Sequence, residues 1–254
     1  MITSVEITKE FQTGGSLPIQ VLGSDGMEYV CKYCNPSGFG PVKEWLASRF
    51  LNLWKIPTPE VRLVKVDAGQ LSKTSRLQPR FFEFPCFGSR YLENAEHFSQ
   101  ITFTSESVDY SALLKIALFD IWMSNEDRNH NNANLLVVQQ KKKMAFYAID
   151  HTMCFNSGNL DKDLYVISQE ETLIYHPIFD DYRPSADLIP KMRKRYEICV
   201  GECYTNLKPI LKELPEEWVS SKIDLFTLLT GRLFAETWRE TAFEAFESYL
   251  AEKK

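Results

Sequence analysis

The sequence predicts an α+β fold, in which a strand-rich N-terminal part precedes a mainly helical C-terminal part. Three features of the pattern lead to this prediction. Short stretches with strand-like alternation or β-prone residues recur before residue 88. An apolar helix over residues 108–123 then leads into a polar loop and a β-hairpin. From residue 188 onwards, apolar side chains recur at helical spacing.

The composition is that of an ordinary globular protein. Its 254 residues are 44% hydrophobic and 25% charged, which is enough chain for a sizeable core. The net charge of −5 argues against broad nucleic-acid binding, which normally requires a surplus of basic residues. No apolar run reaches the length of a membrane span, and residues 1–4 lack the features of a signal peptide. We therefore expect a cytoplasmic protein with no membrane partner.

Three strands are predicted at the N-terminus. Residues 4–11 alternate apolar and polar side chains, and residues 18–22 and 27–33 continue in the same manner. The pair Asp25-Gly26 between the second and third runs is a strong signal for a β-hairpin. The predicted N-terminal sheet is therefore antiparallel.

A glycine turn separates the first two strands at Gly14, Gly15 and Ser16. Such a turn brings backbone N–H groups close to phosphate groups because no Cβ atom intervenes. Lys32, near the end of the third strand, is placed to reach the same phosphates. A plain hairpin turn and a solvated lysine are the alternative interpretations of these residues.

A helix is predicted over residues 41–54, where apolar side chains recur at helical spacing. Glu44 lies in its first turns and is the only acidic residue between Glu28 and Glu60. An acidic residue on such a helix can pair with a strand lysine and hold it towards phosphates. We therefore predict that Glu44 pairs with Lys32, with a solvated helix glutamate as the alternative.

Two further strands complete the predicted N-terminal part. They cover residues 61–66 and 80–87 and are joined by a polar loop. We accordingly divide the chain into an N-terminal domain, residues 1–88, and a C-terminal domain, residues 89–254. Residues 87–91 would then form the connection between the two domains.

The polar loop that follows the buried helix contains the residues with the clearest chemistry. Asp127 and Asn132 lie five positions apart, a predicted β-hairpin follows, and Asp150 ends its second arm. Phosphoryl transfer requires this set of groups: one aspartate accepts the proton of the attacking hydroxyl, while an asparagine and a second aspartate hold Mg²⁺. The alternative is a polar loop that caps a hairpin, because Asn and Asp favour loops for local hydrogen bonding.

The remaining residues are predicted to be irregular and then helical. Residues 151–187 show little periodicity and lie where a kinase has its activation segment, so they are expected either to contact substrate or to form a surface loop. Residues 188–214 and 219–250 are predicted as helices.

The chain resembles the HipA-like kinases, a bacterial branch of the protein-kinase-like fold whose catalytic loop is also similar to that of phosphatidylinositol 3- and 4-kinases. The resemblance rests mainly on residues 118–132 and on Ala148-Ile149-Asp150-His151, and more faintly on the segments around Lys32 and Glu44. It implies a two-lobed fold, with a small antiparallel N-lobe sheet and one helix, followed by a mainly helical C-lobe. It also implies a phosphotransferase that uses ATP and Mg²⁺.

The resemblance also implies roles for individual residues. Asp127 would be the catalytic acid/base, and Asn132 and Asp150 would be metal ligands. Lys32 would contact the nucleotide phosphates together with the glycine turn, and Glu44 would anchor that lysine. The connection at residues 87–91 would be a hinge that meets the adenine ring.

Two positions depart from the patterns of related kinases. Family loops commonly read Asp-Arg-His, but here Asn129 intervenes and the histidine is His130. His151 follows Asp150 where many protein kinases have Phe-Gly. The roles of both histidines are therefore left open by the resemblance.

The sequence thus predicts a kinase that transfers the γ-phosphoryl group of ATP to a hydroxyl, with Ser or Thr of a protein as the preferred acceptor. A pseudokinase that serves as a nucleotide-binding interaction module is one alternative, and a lipid or small-molecule kinase is another. The sequence leaves the oligomeric state undetermined.

Overall fold

The computed structural model describes residues 1–11, 17–33, 40–72, 75–104, 107–140, 143–159, 162–219 and 224–253. Within these ranges the chain forms a β-barrel, a second small sheet and a set of helices that pack against both. The predicted glycine turn at Gly14, Gly15 and Ser16 lies outside the described residues.

Five strands near the N-terminus close into a barrel in the order β1-β2-β3-β5-β4. Neighbouring strands are antiparallel except β1 and β4, which run parallel, so the prediction of a wholly antiparallel sheet was wrong. The parallel contact closes the barrel and leaves β1 without a free edge on that side. The strands are β1 (Ile2–Glu10), β2 (Ile19–Gly23), β3 (Glu28–Lys32), β4 (Val61–Lys65) and β5 (Cys86–Arg90).

The β2–β3 hairpin turns at Asp25 and Gly26, as the sequence predicts. Gly26 has a φ of 77°, a conformation that glycine adopts without the steric penalty of a Cβ atom. The Asp25 carboxylate accepts a hydrogen bond of 3.1 Å from the Met27 N–H and another of 2.7 Å from the Tyr29 hydroxyl. These local bonds fix the register of the two strands.

The last barrel strand begins later than predicted. Residues 80–87 were expected to form a strand, but Pro79–Phe82 is a 3₁₀ helix and β5 starts only at Cys86. Pro79 favours a helical first turn, and Pro85 lacks the N–H that a ladder needs, so the strand cannot begin earlier. The predicted domain boundary after residue 88 therefore falls inside β5. A boundary after Arg90 would keep the whole of β5 with the barrel strands that it pairs with. The division into domains and the hinge at residues 87–91 stay predictions.

The main hydrophobic core lies outside the barrel and surrounds helix α2 (Tyr110–Trp122). Helix α1 (Gly40–Leu53) packs into this core rather than into the barrel interior. Trp54, just after α1, stacks on Trp122 with ring centroids 5.5 Å apart. The aromatic contact fixes α1 against α2 and so holds the barrel side of the molecule to the helical side.

A three-stranded antiparallel sheet follows α2. It consists of β6 (Ala95–His97), β7 (Leu135–Gln140) and β8 (Lys143–Ala148), and β7 with β8 forms the predicted hairpin. The main chain of Ala148 is tied to the segment after α1, because its N–H donates to the Pro57 carbonyl over 2.9 Å and its carbonyl accepts from the Thr58 hydroxyl over 3.0 Å. The end of β8 is thereby fixed beside α1.

The C-terminal region is helical, with one correction. The helix predicted over 188–214 is α4 (Leu188–Leu211), but the residues predicted as one helix over 219–250 divide into two. These are α5 (Leu225–Gly231), which Asp224 caps, and α6 (Glu236–Glu252). A short helix, α3 (Cys154–Gly158), precedes α4 in the chain. Among the residues that the structure describes, no helix is long and apolar enough to cross a membrane.

Candidate active site

A lysine and two carboxylates from three separate elements meet beside the barrel. The Lys32 Nζ, at the end of β3, lies 2.5 Å from Glu44 Oε1 on α1 and 2.7 Å from Asp150 Oδ1 after β8. The side chains of Lys32 and Glu44 are largely buried, whereas that of Asp150 is 34% exposed. The predicted pairing of Lys32 with Glu44 is therefore present, and Asp150 joins it.

The electrostatics of this group follow from two carboxylates sharing one ammonium ion. Burial opposes the charge of Lys32, but the neighbouring Glu44 and Asp150 outweigh burial and raise the pKa of the lysine. Burial raises the pKa of Glu44, and the opposing effect of the Lys32 charge is smaller. For Asp150, burial also favours a higher pKa, but the charge and the hydrogen bond of Lys32 outweigh burial and hold the pKa below its usual range. Asp150 is the more exposed carboxylate and carries the more stable negative charge.

Asp150 is held in a conformation that is uncommon for a residue with a side chain. Its φ is 54°, which places it in the left-handed region directly after the second hairpin arm. The Thr152 hydroxyl donates a 2.7 Å hydrogen bond to Asp150 Oδ1, the oxygen that also contacts Lys32. Lys43, buried on α1, donates to the Thr152 carbonyl and fastens this turn to the helix.

Asp127 lies in the polar loop and is oriented by two asparagines. The Asn132 amide lies 3.1 Å from each carboxylate oxygen, and the Asn134 amide donates to Oδ2 over 3.1 Å and to the Asp127 carbonyl over 2.7 Å. The Asn129 side chain accepts from the N–H groups of residues 131 and 132 and keeps the loop compact. These bonds point a partly exposed carboxylate in a defined direction.

Arg128, the residue after Asp127, is completely buried. An arginine has five N–H donors, and all five have acceptors here. Its contacts join helix α2, the polar loop and the segment after β8. The acceptors are Asp120 Oδ2 at 2.6 Å, the carbonyls of Ala133 at 2.9 Å, Asn134 at 2.5 Å and Ile149 at 3.3 Å, and His151 Nε2 at 2.9 Å.

His151 is a buried, neutral histidine. Burial, together with the adjacent Arg128, lowers its pKa well below the ordinary value for histidine. Because an arginine can only donate, Nε2 accepts from Arg128, and the ring proton is therefore on Nδ1, which faces Glu44 Oε2 at 3.9 Å. The backbone N–H of His151 donates to the same Glu44 oxygen over 3.1 Å.

The structure thus brings most of the predicted site residues into two linked groups. Lys32, Glu44 and Asp150 form the first, and Asp127 with Asn132 forms the second. Their chemical roles stay predictions. His130, whose role the resemblance left open, is exposed on the loop.

Sequence reasoning assigned no role to the residues that join the two groups or anchor the link between them. These are Asp120, Arg128, Asn134 and His151. One signal was available, because Asp120 is a single carboxylate in the middle of an apolar helix. A buried charge requires a partner, and Arg128 is the partner in the adjacent loop.

The oxygen ligands that Mg²⁺ prefers are present, although sparse. Among the described residues, no cluster of three or more His, Cys, Asp or Glu side chains is arranged to bind a metal ion. Mg²⁺ commonly uses one or two carboxylates and completes its shell with water and substrate phosphates. The partly exposed Asp150 carboxylate and the exposed Asn132 amide are of the types that would fit such a shared site.

Comparison with known proteins identifies what this chain is similar to. A family model described as HipA-like kinase matches residues 4–237. The solved proinflammatory kinase CtkA of Helicobacter pylori has 12% identity and a TM-score of 0.53, and the match covers 96% of this chain and 95% of that one. This likeness shows a kinase-like α+β fold. No curated protein matches the sequence.

Two further solved structures are similar at lower scores. The Rio2 kinase of Chaetomium thermophilum, in an ADP/Mg²⁺-phosphoaspartate complex, has a TM-score of 0.44 and 12% identity over 98% of this chain and 72% of that one. HipA of Shewanella oneidensis, solved with HipB and operator DNA, has a TM-score of 0.42 and 8% sequence identity. The match covers 96% of this chain and 66% of that one. The HipA-like kinase model matches residues 4–237, which is most of the length of this chain, so the chain belongs to the HipA-like kinase family.

Proposed function

We propose that this protein is a two-lobed kinase that transfers the γ-phosphoryl group of ATP to a hydroxyl group, with Mg²⁺ as the metal. The observation that carries the proposal is the convergence of Lys32, Glu44 and Asp150 from three elements at one partly open position. The Asp150 carboxylate is 34% exposed, so this group of charges is open to solvent on one side. A site for a polyphosphate and its cation does require a lysine and an exposed carboxylate together.

Each residue has a proposed part in the chemistry. Lys32 binds the phosphates, Glu44 holds Lys32 in place, and Asp150 with Asn132 holds Mg²⁺. The bound metal would neutralise the negative charge of the phosphates. The glycine turn at residues 14–16 is proposed to cover the nucleotide.

Asp127 is the proposed acid/base. Its carboxylate accepts hydrogen bonds from Asn132 and Asn134 and so keeps a fixed orientation. The O–H bond of the acceptor breaks and its proton passes to Asp127, while the acceptor oxygen forms a bond to the γ-phosphorus. The bond from that phosphorus to the leaving oxygen breaks, and the electron pair leaves with ADP.

Ser or Thr of a protein is the proposed acceptor. The resemblance of this chain to the HipA-like kinases is closer than its resemblance to lipid kinases, and the HipA-like kinase model matches residues 4–237. A lipid substrate would be favoured by a basic surface, whereas the chain is acidic with a net charge of −5.

The proposal is tested with γ-labelled ATP and Mg²⁺, with and without a chelator, on wild-type protein and on the variants Asp127→Asn and Asp150→Asn. Asp181→Asn is the matched control, because Asp181 is exposed and lies outside the site. Chelator-sensitive transfer by wild type and Asp181→Asn, with loss in both site variants, is expected.

Three results would contradict parts of the proposal. Transfer at the wild-type rate by Asp127→Asn or Asp150→Asn would refute the roles of these residues. Binding of Mg²⁺ and ATP by wild type without transfer to itself or to a protein extract would favour the pseudokinase. Label in extracted lipid rather than in protein would reject the protein acceptor.

A further inference from the structure

His151 makes contacts to both halves of the site that the roles proposed above do not explain. Its ring nitrogen Nε2 lies 2.9 Å from Arg128 Nη2, and both side chains are buried. The other donors of Arg128 are used by Asp120 and by three backbone carbonyls. The imidazole is thus the only side-chain acceptor that the described residues offer Arg128 from the segment after β8.

The other side of His151 faces the lysine group. Its backbone N–H donates to Glu44 Oε2 over 3.1 Å, and Glu44 Oε1 contacts Lys32. Phe119 of α2 packs edge-on against the ring, with centroids 6.1 Å apart and planes at 90°. The ring therefore has little freedom to move.

Together these contacts form one continuous path. It runs from the loop that carries Asp127, through Arg128 and His151, to Glu44 and Lys32, and Asp150 adjoins His151 in the chain. The contacts of Arg128 with His151, of His151 with Glu44 and of Glu44 with Lys32 are hydrogen bonds or ion pairs between groups that are largely buried. A path of this kind transmits displacements because its members cannot exchange partners with water.

We propose that His151 is a positioning residue, whose imidazole acceptor sets the distance between Asp127 and the group formed by Lys32, Glu44 and Asp150. The inference rests on the proposed kinase function and adds a residue that the sequence pattern left without a role. His151 touches neither nucleotide nor acceptor in this proposal. It acts on transfer only through Arg128 and Glu44.

The physical reason is the cost of leaving the last Arg128 donor without an acceptor. A buried unpaired N–H is unfavourable, so the guanidinium group would move or admit water if the acceptor were removed. The loop around Asp127 would move with it, because Arg128 adjoins Asp127 in the chain. A displacement of about 1 Å between reacting groups costs on the order of 100-fold in rate.

Three substitutions of His151 separate the acceptor from the shape of the ring. His151→Phe keeps a planar ring against Phe119 but has no acceptor. His151→Gln places an amide oxygen about as far from the backbone as Nε2. His151→Asn has the same chemistry but is too short to reach Arg128, so it serves if His151→Phe does not fold.

The measurement is kcat and KM for ATP in the transfer assay, corrected for the folded fraction by urea unfolding. We expect His151→Phe and His151→Asn to lower kcat by about 10- to 100-fold, as loss of supporting contacts around a site typically does. The KM for ATP should change by less than about threefold, because Lys32 and Asp150 remain in place. His151→Gln should retain kcat within about threefold of wild type.

The kcat values of the folded variants decide whether His151 has a positioning role or a merely structural one. A folded His151→Phe or His151→Asn with the kcat of His151→Gln would overturn the positioning role, since a merely structural histidine changes stability and not kcat per folded molecule. A fall of kcat in His151→Gln equal to that in the other two variants would overturn it as well. If wild-type protein transfers no phosphate, the proposed kinase function fails first and this inference fails with it.

Discussion

Removing the carboxylate of Asp120, which lies in helix α2, should destabilise the protein strongly. Asp120 Oδ2 accepts from Arg128 Nε over 2.6 Å, and Oδ1 accepts from the Asn125 amide over 2.8 Å. The side chains of Asp120 and Arg128 are 2% and 0% exposed. The substitution Asp120→Ala therefore leaves two buried donors without an acceptor.

The magnitude follows from these two donors. A buried donor without an acceptor costs about 1–3 kcal/mol, so two would cost about 2–6 kcal/mol. Breaking a buried ion pair by removing one partner costs about 3–5 kcal/mol, and the two estimates describe the same loss. We expect the free energy of unfolding to fall by about 3–5 kcal/mol, a large part of the roughly 5–15 kcal/mol of a typical domain.

A double substitution shows whether the loss comes from the unpaired arginine. Burial raises the pKa of Asp120, although Arg128 and Asn125 oppose it, so the pair does not fully offset its own desolvation. The variant Asp120→Leu with Arg128→Met removes both charges but leaves three backbone carbonyls and His151 without their donor. Its loss of stability should therefore be smaller than the sum of the losses in Asp120→Leu and Arg128→Met measured singly, because the two side chains interact directly. Asp181→Ala, at an exposed carboxylate, is the control and should change stability by less than about 0.5 kcal/mol.

The assay is equilibrium unfolding in urea with the slope of the transition compared between variants. A similar slope for all of them would confirm that the midpoints report stability rather than a change in the unfolded chain. The reasoning is refuted if Asp120→Ala loses no more stability than Asp181→Ala. It is also refuted if the double variant loses as much as the sum of the two single substitutions.

Two further predictions concern stability. Gly88→Ala should destabilise the barrel by about 1–3 kcal/mol in urea unfolding, because an added Cβ would lie 2.4 Å from Val64 Cγ2. Gly201 lies on α4 with open space around it, so the control Gly201→Ala should be neutral or stabilising by up to about 1 kcal/mol. Equal changes in the stability of the two variants would contradict this prediction. Burial, aided by the neighbouring His130, lowers the pKa of His176, and the Nδ1 atom of His176 accepts a hydrogen bond from the Ile178 N–H. Below the ordinary histidine pKa, the unfolded chain therefore binds a proton at this residue that the folded chain does not. Stability should therefore fall as pH decreases from about 7 to about 5, by at most about 1.4 kcal/mol per pH unit from this group, and His176→Asn should reduce the slope; an unchanged slope would exclude this histidine as its source.

Local patterns predicted most of the secondary structure. The hairpin at Asp25-Gly26, helix α1 and the hairpin that ends at Asp150 depend on neighbouring residues and on periodicity, which act over a few positions. The errors arose where local signals competed. The expected strand over 80–87 contains aromatic residues that favour a strand, but Pro79 and Pro85 set the backbone, and the parallel contact of β1 with β4 depends on closure of the whole barrel.

The order of Lys32, Glu44, Asp127, Asn132 and Asp150 along the chain was enough to predict a kinase-like site and to suggest that Lys32 and Glu44 are paired. Nothing in that order shows that Asp150 shares the same lysine. That contact exists because the bonds of Ala148 to residues 57 and 58, and the bond from Lys43 to the Thr152 carbonyl, hold the end of β8 beside α1.

The sequence by itself determined the elements, their order and the chemical types available in the polar loop. Only the tertiary structure decided which charges are buried and what they touch, as Arg128 and His151 show. The physical reason is that periodicity and turn formation arise from contacts between near neighbours, whereas desolvation of a charge depends on every segment that closes around it. Arg128 appears in the sequence as an ordinary loop cation, and it becomes the link between the two groups of the site only when α2 and the segment after β8 enclose it.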